Sequence, residues 1–135
     1  MAARCSAIEE CYEFLLAYAA QGLTTDAGTQ AGSQIREFLR KAVAAMTCLA
    51  EAYADAVTRE ALEPAGAYHA FLAVLDRDAR DSQAAIELVL AQPAISSQLI
   101  DNLNASIHLR ALLTDLFLID EVLKMQGQAR LVQGS

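Results

Sequence analysis

The chain has 135 residues, with 55% hydrophobic and 20% charged residues and a formal net charge of -7. A length of this order supports one core without metal or disulfide help, and the apolar content excludes a wholly disordered chain. The acidic balance, with no Lys/Arg cluster to reverse it locally, argues against nucleic acid or an anionic membrane surface as partner.

The sequence reads as all-α. Alanine is the commonest residue, Trp is absent and β-branched residues are scattered, which favours helix over strand. Four helices are expected, over about 4–21, 33–58, 64–91 and 94–126, forming one antiparallel four-helix bundle domain across 1–135.

The first helix carries Ile8, Cys11, Tyr12, Leu15, Tyr18 and Ala19 on one stripe, and Gly22 suits its stop. Residues 23–32 are polar and glycine-bearing and read as a flexible loop, with Ser33 as the cap that follows. In the second helix Ile35, Phe38, Leu39, Ala42, Met46, Leu49, Tyr53, Ala56 and Val57 share one face. The third, opened by Pro64, repeats the pattern with Tyr68, Phe71, Leu72, Leu75, Ala79, Ser82, Ile86, Val89 and Leu90.

The fourth helix, opened by Pro93, is different. Leu109, Leu112, Leu116, Ile119 and Leu123 form one stripe, while Ile107, Phe117, Leu118 and Val122 point elsewhere. One bundle face cannot bury both sets, so the second is expected to meet another chain. Gly127 suits the helix stop, and 128–135 reads as a frayed tail.

Chemistry is harder to find. A di-iron bundle needs Glu three residues before His, but Gly66 and Ala105 stand there before His69 and His108. Pairing the third and fourth helices back across Pro93 sets His69 level with Phe117 and His108 level with Asp78, roughly 13 Å apart along the bundle, so no metal site is assigned. The same pairing gathers Tyr53, Tyr68, His69 and Phe117 at one end as a candidate small-ligand pocket. Asp78 and Asp81 are expected to form an ion pair with His108.

Cys5, Cys11 and Cys48 lack C-x-x-C spacing and read as reduced thiols, consistent with a cytoplasmic protein. Glu9, Glu10 and Glu13 interrupt any secretory h-region, and the longest uncharged stretches fall short of a spanning helix. Cys48 projects opposite the second helix's seam, among Ala44, Ala45 and Ala52, and is a candidate close contact with a partner. No catalytic residue and no cofactor is assigned. The expectation is a small interaction or regulatory adaptor, forming a homodimer and binding a protein partner through Ile107, Phe117, Leu118, Val122 and Cys48. The rival is a ligand-binding or catalytic bundle using the aromatic end.

Overall fold

The computed structural model describes residues 1–133, with side chains as far as Ala129. The described residues are helical without strands: α1 (Ala2–Ala19), α2 (Gln30–Met46), α3 (Leu49–Arg59), α4 (Ala65–Leu90), α5 (Ser97–Ala105) and α6 (His108–Gln133). Helix α1 packs against α2, α5 and α6, while α4 packs against α2, α3, α5 and α6.

The expected stripes form the core. Ile8, Cys11, Leu15 and Tyr18 of α1, Ile35 and Leu39 of α2, Leu49, Tyr53 and Val57 of α3, Leu75 and Ile86 of α4, and Leu112 and Leu116 of α6 are all buried together. Burying apolar side chains at 1.5–3 kcal/mol each, roughly, is what holds six short elements as one body.

Two of the four expected helices are broken. The span 33–58 divides at Thr47 and Cys48, where Thr47 is extended and Cys48 takes the left-handed conformation with φ 57°. No Gly or Pro marks the place. The freed carbonyls are instead met from a distance: Arg4 donates to the Thr47 carbonyl, and Gln83 Nε2 donates to the Val43 carbonyl at 3.0 Å and to Thr47 Oγ1 at 3.1 Å. A helix end whose orphan carbonyls find such partners costs little.

The span 94–126 divides at Ser106 and Ile107. Asn102, Asn104 and Ser106 are weak helix formers, Ser106 Oγ donates back to the Leu103 carbonyl at 2.6 Å, and Ile107 follows with φ 62°. The position is one where Gly is usual.

Boundaries move accordingly. Pro93 lies in a connection, and Ser96 caps α5 by accepting from the Leu99 N–H at 3.0 Å. Thr29, not Ser33, caps α2, its Oγ1 accepting from the Gly32 N–H at 2.9 Å. Helix α6 runs through Gly127 to Gln133, so 128–133 of the expected tail is helical, and Gly134 and Ser135 lie outside the described residues.

The segment before α2 is tied down at Asp26. Its carboxylate accepts from the Ile95 N–H at 2.8 Å and from Arg36 Nε at 2.9 Å, and these contacts hold its pKa below the ordinary carboxyl value. The same guanidinium donates to the carbonyls of Leu90 and Gln92, satisfying the C-terminal end of α4, where a cation is favoured. Ser97 completes the tie. Its N–H donates to the Leu23 carbonyl at 2.8 Å, and its hydroxyl donates to the Tyr18 carbonyl and accepts from the Leu23 N–H.

Candidate functional site

Helix α6 lies between α1 and α4 and forms a ridge. Its inward face buries Leu109, Leu112, Leu113, Leu116 and Ile119. What remains outside is unusually apolar for a helix that has already filled one core stripe: Phe117 is 56% exposed, Leu118 53% and Met125 57%, and Ile107 at its entry is 60% exposed. Val122 is half-buried.

Grooves run along both flanks. On the α4 side, Pro64, Ala67, Tyr68, Phe71, Leu118, Ile119 and Val122 line an apolar groove of about 300 Å³. Toward the start of α6, on its outer side, a second depression is lined by Ile107, Arg110, Ala111, Thr114 and Asp115. On the α1 side, Glu9, Tyr12, Glu13, Leu16, Arg110, Leu113, Thr114 and Phe117 line a third.

Of the expected ligand pocket, Tyr68 alone lines the apolar groove. Phe117 stands on the opposite flank, His69 is exposed, and Tyr53 is buried in the core. The four do not share a cavity. The reason is register: Asp78 of α4 meets Asp115 of α6, rather than His108, because α5 takes up residues in crossing before α6 begins. The offset is 115 minus 108, seven residues, about 10 Å along the helix. His108 is exposed.

The carboxyls of Asp78 and Asp115 share a hydrogen bond at the α4/α6 seam. Burial, and then the neighbouring Asp78, push Asp115 up to about 7, and Asp115 Oδ2 is buried without a hydrogen-bond partner among the described residues. Two carboxyls in contact favour holding a proton between them. Periodicity carried no sign of this pair, although Asp78 and Asp115 were both legible as polar residues one step off an apolar stripe.

The second polar cluster joins α1, α3 and α6. Tyr53 donates from its hydroxyl to Asp120 Oδ1 at 2.6 Å, and Cys5 Sγ lies 3.3 Å from the same hydroxyl and 3.8 Å from Asp120 Oδ2. Burial raises the Tyr53 and Cys5 pKa values, with Asp120 adding to both. Both groups therefore hold their protons, and the cluster acts as a clasp. Burial alone pushes Cys11 up to about 12. Among the described residues no group of three His, Cys, Asp or Glu side chains is placed to hold a metal.

Cys48 is exposed at the α2–α3 junction, on a different element from the α6 surface, and of its small neighbours Ala45 belongs to the core. No helix among the described residues is long and apolar enough to cross a membrane.

No family model, curated protein or solved structure matches the chain. The candidate site is therefore defined by its own geometry, and that geometry is an apolar ridge with grooves at its flanks.

Proposed function

We propose that the chain is a small interaction or adaptor protein whose working surface is the outer side of α6 with its α4 groove, and that it associates with itself through that surface. In this reading the fold is an antiparallel bundle of four rods, two of them broken: α1, α2–α3, α4 and α5–α6. Cytoplasmic residence belongs to the same reading and is supported by three free cysteines.

One observation carries it: Phe117, Leu118 and Met125 stay more than half exposed on the very helix whose other face completes the core, and so does Ile107 at its entry. Single exposed apolar residues are ordinary, but three on one helix with a fourth at its entry, beside an apolar groove, mark an interaction site. With Leu118 53% exposed, burying what remains of it would contribute roughly 1 kcal/mol per copy to association. The clasped, protonated state of Cys5 and Tyr53 supports a binding role over nucleophilic catalysis, because the thiolate is the reactive form.

Light scattering on the Leu118→Glu variant tests the proposal. Leu118→Glu should yield monomer, while Leu88→Glu, at an exposed apolar position on α4 outside the ridge and its grooves, should leave the oligomer intact. Equal behaviour of the two variants would defeat it.

A further inference from the structure

The exposed line on α6 has a pattern that fits one occupant in particular. Ile107, Ala111, Thr114, Leu118, Val122 and Met125 follow one another at steps of four, three, four, four and three, the spacing of a helix–helix seam. Ile107 belongs to that outer side because it lines a depression together with Arg110, Ala111 and Thr114.

Charges flank the seam in a way that bears on direction. Arg110 and Glu121 are eleven residues apart, which at 100° per residue is three turns and about 20°, so they lie on the same side of the helix roughly 16 Å apart. Both are exposed. Neither forms an ion pair among the described residues, where the pairs are Arg36 with Asp26, Lys41 with Glu37 and Arg80 with Asp76.

We infer that the occupant of this surface is a second copy of the chain, whose α6 lies antiparallel across it about a two-fold axis at the level of residue 116. This rests on the reading of the α6 surface given above and adds its direction and register. In an antiparallel pair, residues facing one another have a constant sum of numbers. Thr114 with Leu118 gives 232, and Ile107 with Met125 gives 232. The small Thr114 receives Leu118 twice, once on each side of the axis, and the two exposed ends cover one another.

A two-fold of this kind keeps each flank against the same flank of the partner. Arg110 and Glu121 share a flank and sum to 231, so each copy's Arg110 meets the other's Glu121, and the interface closes with two equivalent ion pairs. Such isologous pairing is what a two-fold dimer demands. A parallel pair, whose two-fold axis runs along the helices, carries each flank to the partner's opposite flank, so Arg110 and Glu121 would not meet and both would stay unpaired at the seam. The left-handed backbone at Ile107 acquires a use as well: it turns a β-branched side chain outward at the end of the seam, a conformation that costs energy and persists where surroundings require it.

Sedimentation equilibrium at low ionic strength on the full chain, with Arg110→Glu, Glu121→Arg, the double exchange Arg110→Glu/Glu121→Arg, and Leu118→Glu, tests the inference. Each single charge reversal should raise the dimer dissociation constant about tenfold, since two exposed pairs are turned from attraction to repulsion. The double exchange should bring it back to within about threefold of the wild-type value. A dimer lost in Leu118→Glu but indifferent to the single reversals would overturn the antiparallel register and leave the α6 surface as the interface. A dimer indifferent to Leu118→Glu, or a monomer throughout, would overturn both. Circular dichroism of each variant confirms that the fold is retained, as expected for exposed positions without internal partners.

Discussion

Replacing Gly32 by alanine sets two effects of opposite sign against one another. Gly32 lies inside the first turn of α2, where alanine would ordinarily add up to about 1 kcal/mol through helix propensity. A Cβ there, however, would stand 1.9 Å from the Asp26 carbonyl oxygen, 2.6 Å from its carbon and 2.8 Å from the Asp26 Cα. These are backbone atoms, and no side-chain rotation relieves the overlap. The segment carrying Asp26 must move, and with it the bonds from Ile95 N–H and Arg36 Nε at 2.8 and 2.9 Å. Hydrogen bonds to a charged group contribute about 1.5–3 kcal/mol each, so losing both outweighs propensity and leaves a net cost of roughly 3 kcal/mol. For a chain of this size that lowers the thermal midpoint by roughly 10 °C. Urea unfolding followed by ellipticity at 222 nm gives the free energy directly. Gly127→Ala is the matched control, because nothing lies within 4 Å of its added Cβ, and it should strengthen the end of α6 by about 0.5–1 kcal/mol. A Gly32→Ala protein as stable as wild type would refute the steric account of the Asp26 tie.

Three further substitutions probe the polar seams and the strained entry to α6. Asp115 holds its proton more tightly folded than unfolded, so stability from this group falls as pH rises from the ordinary 3.8 to about 7 and is level above; Asp115→Asn should raise the thermal midpoint at pH 8 and change it little at pH 3.5, and an equal effect at both would contradict the shared proton. Ser82 Oγ is buried with no hydrogen-bond partner among the described residues, so Ser82→Ala should stabilise by about 1 kcal/mol in urea unfolding, and a loss would point to a missed acceptor. Ile107→Gly should relieve the left-handed backbone by about 1 kcal/mol while weakening self-association; calorimetry at low concentration and sedimentation at high concentration separate the two, and a change of the same sign in both would contradict the account.

Helix content and core were legible because they rest on periodicity. The stripe from Ile35 to Val57 crosses the break at Cys48 without losing phase, which is why the core composition survives although one expected helix is two. The break was illegible because Arg4 and Gln83, distant in sequence, supply its partners. Ser106 and Ile107 gave a weak local signal through the run of Asn and Ser, outweighed by the leucines on both sides. The crossing at α5 shifts the α4/α6 register by seven residues, and the four residues expected at one end, Tyr53, Tyr68, His69 and Phe117, stand in four different places. The surplus on α6 was legible for the same reason as the core: Phe117 and Leu118 fall off the stripe by simple angle, and both are exposed.

Concentration-dependent mass by sedimentation equilibrium bears most directly on the claim that α6 is an association surface. The account predicts a wild-type mass that rises with concentration from 14.5 kDa to twice that value, at micromolar chain. A mass fixed at that of the single chain up to about 100 μM, weaker than roughly 5 kcal/mol of association would allow, would contradict it.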